Sequence, residues 1–387
     1  MENRSGKSYN GPFALGRVVC KRSKKNMERA RLRDLGIIIG RYSPGKYNAI
    51  TDVPGVLVGH STLIYDMPRV ARTGVTVIIP RDGEIWTNHT FAAYYVFNGN
   101  GELAGAHWID EAGMLTSPIG LTNTHQVGTV RDMLIAWERE QYAREGMLLP
   151  VVTETYDGWL NDIDAFHITK SDLFIAMNRA SSGPVKEGNV GGGTGMICHD
   201  FKGGIGTASR LIEIGSKIYT VGVLVQTNYG DRSFLRVNGV PVGEEIGPDE
   251  VPTPWGDLPP LQAGSIIAVI GTDAPLVSTQ CKRLAQRATV GLARVGGVGY
   301  NSSGDIFLVF ATGNDLLVPQ PEMVNLTMLP NQHLNFFFEA VAEAVEEAIL
   351  NALTMAETMT GYKDRTAYAL PLDRLAEIME RYKGLHA

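Results

Sequence analysis

The sequence is poor in cysteine, in long apolar runs and in excess positive charge, and each shortage excludes something. Its three cysteines, Cys20, Cys198 and Cys281, are far apart and odd in number among 387 residues. They supply neither a disulfide framework nor a zinc motif, and a reducing compartment fits best. No apolar stretch reaches the roughly 20 residues that span a bilayer. PFALGRVVC near the start is too short for a secretory segment and is interrupted by Arg17. The expectation is a soluble, cytoplasmic protein with no membrane partner. Thirty-five Lys and Arg against 41 Asp and Glu leave a formal charge of -6, without the basic surplus that nucleic-acid binding needs. None of the eight histidines falls in a metal pattern such as His-Glu-x-x-His. No Gly-x-Ser-x-Gly elbow is present.

Glycine, by contrast, is abundant, with 44 residues gathered in clusters. The densest, GNVGGGTGMICHDFKGGIGTASR from Gly188 to Arg210, lacks the Gly-Lys-Ser/Thr ending of a phosphate loop and the strand-to-helix setting of a dinucleotide fingerprint. These glycines read as close backbone packing around a site, and no cofactor is expected. Residues 1–40, including the basic run KRSKKNMERARLRDL, read as a solvated N-terminal extension, and residues 41–387 as a single catalytic domain. From Asn48 onward short strand patterns alternate with glycine and proline turns. VRDMLIAWEREQYARE has a helical period that puts Met133, Ile135, Ala136 and Trp137 on one face. After residue 264 the order is strand, helix, strand, long buried helix. Strand hairpins interleaved with long helices fit an α/β fold, a four-layer α/β/β/α sandwich.

The chemistry centres on Gly264-Ser265. There a loop with five prolines between Pro248 and Pro260, the best linker candidate, gives way to the apolar strand SIIAVIGTDAPL. A hydroxyl at the head of a rigid strand, preceded by a residue without Cβ that tolerates strained dihedrals, is placed to attack the Gly264 carbonyl. Hydrolysis of the resulting ester would leave Ser265 as a new amino terminus. It would then carry both a nucleophile and a base, since an α-amine has a pKa of about 7.7–8.0.

Such a serine needs helpers. Ser303 and Asp305 sit two apart before the apolar run IFLVF, so they share a side if the strand starts there, although Ser-Ser-Gly-Asp also reads as a turn. Asn228 closes the strand KIYTVGVLVQTN, as an ordinary strand-ending residue or as an amide donor to an oxyanion. Glu154 lies in the apolar segment PVVTETYDGWL with Tyr156 two residues on. A carboxylate there needs a partner, either an internal Arg or Lys or a substrate ammonium.

Taken in order, NAITDVPGVLVGH, ETYDGWLNDI, the glycine block, GVLVQTNYG, GSIIAVIGTDAPL and NSSGDIFLVFATGN span about residues 48–315. As a set they resemble the L-aminopeptidase/D-esterase and β-aminopeptidase family of self-processing amino-terminal serine hydrolases. The resemblance implies an α/β/β/α sandwich like that of the amino-terminal nucleophile hydrolases, with different connectivity. It also implies cleavage into chains 1–264 and 265–387 that stay together, and a homo-tetramer of cleaved pairs. By the same resemblance Ser265 is the nucleophile and Gly264 the residue whose carbonyl is attacked. Ser303 and Asp305 are its partners, Asn228 serves the oxyanion, and Glu154 with Tyr156 meets the free amino end of a small peptide or amide. Where the family acid is glutamate, this chain has the shorter Asp305. Weaker resemblance to ornithine acetyltransferases and nylon-oligomer hydrolases, which favour threonine as nucleophile, leaves acyl transfer or oligoamide hydrolysis as alternatives, beside a non-catalytic member of the fold.

Overall fold

Two sheets lie face to face, each covered on its outer side by helices, in a computed structural model that describes residues 27–142, 145–256, 264–319 and 322–385. The strands in chain order are β1 (Leu57–Tyr65), β2 (Ala71–Ile79), β3 (Asn88–Gly99), β4 (Leu103–Ala104), β5 (Met114–Leu115), β6 (Ile119–Asn123) and β7 (Val151–Thr155). There follow β8 (Ile197–Cys198), β9 (Phe201–Lys202), β10 (Gly204–Ile214), β11 (Lys217–Asn228), β12 (Ser265–Thr272) and β13 (Gly304–Leu317). The helices are α1 (Ala106–Ala112), α2 (Val127–Tyr142), α3 (Lys170–Asn178), α4 (Val242–Glu245), α5 (Ser278–Val295), α6 (Leu334–Met355) and α7 (Leu372–Leu385). The first sheet has the order β1-β2-β6-β7-β4 and the second β10-β11-β12-β13-β3-β5.

The period-two alternation of β12 explains the layering. Ile266, Ala268 and Ile270 join Leu284 of α5 and Val341 and Val345 of α6 in the outer core. Ile267 and Val269 instead meet Ile78, Leu121 and Val151 of the first sheet. On the far side, α2 and α3 cover Val75, Val77 and Val152. This is the expected four-layer α/β/β/α arrangement. The buried stripe of α2 is Val127, Val130 and Leu134, with Met133 and Trp137 only partly covered. The face expected from Ile135 and Ala136 is therefore rotated. The helix begins at Val127, and its earlier apolar residues set which side meets the sheet.

The reading of residues 1–40 as a solvated extension is corrected for the part that is described; Lys21 and Cys20 lie outside it. Leu32, Ile37 and Ile39 are buried in the outer core. Arg31 pairs with Glu187 at 2.7 Å and Arg33 with Glu347 at 2.8 Å. Glu347 also binds the fully buried Arg210 at 2.7 Å. Alternating arginines looked like a solvated charge run because their carboxylates lie more than 150 residues away.

Candidate active site

Ser265 heads the central strand of the second sheet. It faces Asn228 across the antiparallel β11 and Gly304 across the parallel β13. Neighbours on both sides leave it only 6% exposed. Its Oγ lies 2.8 Å from the Gly264 carbonyl oxygen. That same oxygen accepts the Gly304 N–H at 3.0 Å, so a fixed donor stands where negative charge would gather during attack on the carbonyl. Gly264 is glycine for lack of room. A Cβ there would lie 2.7 Å from Tyr229 Cα and 2.8 Å from the Asn228 carbonyl oxygen.

Asn228 is oriented by two partners. Its Oδ1 accepts the Ile197 N–H at 2.9 Å, and its Nδ2 donates to the Tyr156 carbonyl at 2.9 Å. That uses one of its two amide hydrogens, and Asn228 lines the same pocket as Ser265. Glu154, on β7, is 3% exposed. Its carboxylate accepts the Glu102 N–H at 3.1 Å and the Thr124 hydroxyl. Among the described residues no Arg or Lys acts on it, and burial pushes its carboxyl above the usual carboxylate range, partly offset by those two donors and by attraction to His125. The internal cation that its sequence context allowed is absent from its partners. Tyr156 is half exposed, its ring lying over Gly158, where a Cβ would come 2.4 Å from Cζ.

A pocket of about 360 Å³ brings Glu154, Tyr156, Asn228, Gly264 and Ser265 together. Ser303 and Asp305 do not open into it. They line a second cavity of about 20 Å³ on the other side of Gly264, with Tyr229, Gly230 and Gly264 shared by both. The alternation of β13 accounts for this. Asp305 has the parity of Phe307 and Val309, which face the outer helices, whereas Ser265 has the parity of Ile267, which faces the first sheet. Ser303 Oγ donates to Asp305 Oδ1 at 2.7 Å, and Asn98 Nδ2 donates to Oδ2 at 3.3 Å. Burial raises the Asp305 carboxyl, and these donors offset part of the rise. The pair therefore forms, although Ser303 precedes the strand that begins at Gly304.

Sequence reasoning missed Asn100, Thr124, Trp159, Ile197 and Trp255 in the pocket wall. The two tryptophan rings meet edge to face, with centroids 4.7 Å apart. The Arg365 guanidinium covers Trp159 at 3.8 Å, and Trp255 Nε1 donates to Asp200 at 2.8 Å. Trp255 belongs to the proline-rich linker candidate, and an aromatic in a polar loop was the available signal. The rest of that loop, 257–263, lies outside the described residues. Among the described residues no cluster of three or more His, Cys, Asp or Glu is arranged to hold a metal, and no helix is long and apolar enough to cross a membrane.

Comparison with known proteins agrees along nearly the whole chain. The chain is 44% identical over 375 residues, 93% of its length and 94% of the relative's, to the beta-peptidyl aminopeptidase BapA of Sphingosinicella microcystinivorans. A Burkholderia sp. beta-aminopeptidase superposes with a TM-score of 0.85 at 51% identity, covering 91% of this chain and 99% of that one. The L-aminopeptidase D-Ala-esterase/amidase of Ochrobactrum anthropi, described as a variant of the Ntn hydrolase fold, gives 0.85 at 41% identity, with coverage of 91% and 99%. The model of peptidase family S58 matches residues 48–367. The chain belongs to peptidase family S58.

Proposed function

We propose that the protein is a self-processing aminopeptidase that removes the N-terminal residue from short peptides, amides or esters, with Ser265 as nucleophile. Maturation begins when Ser265 Oγ attacks the Gly264 carbonyl carbon, whose oxygen already holds the Gly304 N–H at 3.0 Å. The C–N bond breaks, the Ser265 nitrogen takes the proton, and Gly264 is left as an ester on Oγ. Water then releases the Gly264 carboxylate and a Ser265 α-amine. In turnover that amine takes the Oγ proton as the hydroxyl attacks the substrate carbonyl, and returns it to the leaving amine. Asn228 and the Gly304 N–H hold the oxyanion. Ser303 and Asp305, in the small cavity behind Gly264, stand on the amine side of Ser265 and orient its proton.

The observation that carries the reading is Glu154, a buried carboxylate with no Arg or Lys among its partners in the described residues, which shares one pocket with Ser265. It suits the ammonium of a substrate whose first residue is being removed. The names borne by the relatives, beta-aminopeptidase and L-aminopeptidase D-Ala-esterase/amidase, agree with it. The sequence resemblance extends the proposal to a cytoplasmic homo-oligomer of cleaved pairs, a tetramer. The test is intact mass under denaturing conditions, beside Ser265→Ala. Fragments ending at Gly264 and beginning at Ser265 are expected, absent in the variant, together with loss of aminopeptidase activity. A variant that still hydrolyses substrate refutes the assignment.

A further inference from the structure

Lys202 is completely buried on β9, and among the described residues its ammonium has no carboxylate partner. Instead Nζ donates to three backbone carbonyls, those of Gly203 at 2.7 Å, Met196 at 2.8 Å and Gly193 at 3.4 Å. The acting titratable neighbour is Cys198, buried and pushed up to about 12, and therefore an uncharged thiol. Burying a cation without a counter-charge is costly, and burial lowers the Lys202 ammonium from its ordinary value to about 7; its three carbonyl acceptors, one more than the two hydrogens of a neutral amine could serve, favour the charged form. Of its three acceptors, Met196 O also takes the Gly203 N–H at 2.9 Å and Gly193 O the Met196 N–H at 3.4 Å.

The peptide unit between Met196 and Ile197 shows what the charge acts on. Its carbonyl faces Lys202 Nζ, while its N–H donates at 2.9 Å to Oδ1 of Asn228. Asn228 in turn lines the Ser265 pocket and has a second amide hydrogen to offer there. Charge, peptide and side-chain amide thus form one file of aligned dipoles, each donor made more acidic by the one behind it. The hairpin of β8 and β9 keeps the file in line. It turns through His199 and Asp200, both at positive φ, pairs Ile197 with Lys202, and is pinned by the His199 N–H to the Tyr229 carbonyl at 2.7 Å.

We infer that Lys202 is a positioning residue for catalysis, its charge relayed through the Met196–Ile197 peptide to fix and polarise the Asn228 amide that meets the oxyanion. This rests on the proposed role of Asn228. A polarised donor matters most when the substrate oxygen becomes negative, so kcat is affected and substrate affinity is not.

The experiment compares Lys202→Gln, Lys202→Arg, Asn228→Ala and the Gln/Ala double variant as purified, cleaved proteins on one aminoacyl amide. Gln keeps a donor for Met196 O without the charge. Asn228→Ala is expected to lower kcat by about 100-fold, as loss of one oxyanion donor does. Lys202→Gln should lower kcat by about tenfold with KM within about twofold, Lys202→Arg should recover most of it, and the double variant should be no slower than Asn228→Ala alone. Wild-type kcat in Lys202→Gln, or a double variant slower by the product of the single losses, overturns the inference. Failure of Lys202→Gln to fold while Lys202→Arg folds makes the ammonium a structural clamp and overturns it too. An unchanged kcat in Asn228→Ala instead refutes the role of Asn228 itself.

Discussion

Replacing Glu154 by glutamine separates recognition of the substrate amine from the chemistry of Ser265. Gln is nearly isosteric. Its Oε1 can still accept the Glu102 N–H, and the Thr124 hydroxyl can rotate to accept from Nε2 instead of donating. What disappears is the negative charge. At about 3 Å and an effective dielectric constant of about 20, a carboxylate and an ammonium attract by about 5 kcal/mol. Part of that offsets desolvation of the ammonium, and the remaining glutamine dipole keeps some more. A net loss of about 2–4 kcal/mol is then expected, near the low end of the cost of truncating a buried charge pair. At about 1.4 kcal/mol per decade this is a loss of about 30- to 1,000-fold in kcat/KM for substrates with a free amine. Esters or amides whose amine is blocked or missing should lose nothing.

The pH dependence follows with a definite sign. The ionised form of Glu154 binds the ammonium, and burial raises its carboxyl above 4.5. For the wild type, kcat/KM on amine-bearing substrates should therefore fall on the acid side at a higher pH than an exposed carboxylate would give. That limb should vanish in Glu154→Gln, leaving on the acid side only the fall set by the Ser265 α-amine. Stability moves in the opposite direction. A carboxyl whose folded pKa is raised costs the fold stability above that pKa, and the cost disappears below the unfolded pKa. Glu154→Gln should therefore melt no lower than wild type at pH 7, with the gap closing on acidification. Equal losses on free-amine and blocked substrates, or a lower melting temperature at pH 7, would refute the reasoning.

Two further outcomes concern the fold around the site. Gly264→Ala places a Cβ 2.7 Å from Tyr229 Cα. This should destabilise the precursor by about 1–3 kcal/mol and slow the appearance of the 265–387 fragment in time-resolved intact-mass spectra; wild-type cleavage kinetics would show that the contact relaxes freely. Leu32→Ala removes a fully buried side chain whose backbone N–H bonds Asn351 Oδ1 at 2.9 Å. It should cost about 2–5 kcal/mol and lower the melting temperature by about 2–6 °C, whereas a solvated arm predicts no change by calorimetry.

The local signals in the sequence were strong where one short segment carried the whole argument. The five-proline loop against SIIAVIGT located the head of β12, because a change from turn residues to continuous apolar residues marks a buried strand. Ser303 and Asp305 were legible as a pair because their spacing alone brings them within 2.7 Å. The four layers followed from the alternation of strands and long helices.

Tertiary structure decided everything that depends on which distant segment lies alongside. It crowds Gly264 against β11. It places Trp255 against Trp159, gives Arg33 its carboxylate on α6, and leaves Glu154 without an Arg or Lys partner among the described residues. It also splits the expected helpers of Ser265 between two cavities. The physical reason is that sheet register joins residues far apart in the chain. Asn228, Ser265 and Gly304 become lateral neighbours only when β11 runs antiparallel and β13 parallel to the strand between them. Which residues could act was written in the chain, and which of them face one another was set by that pairing.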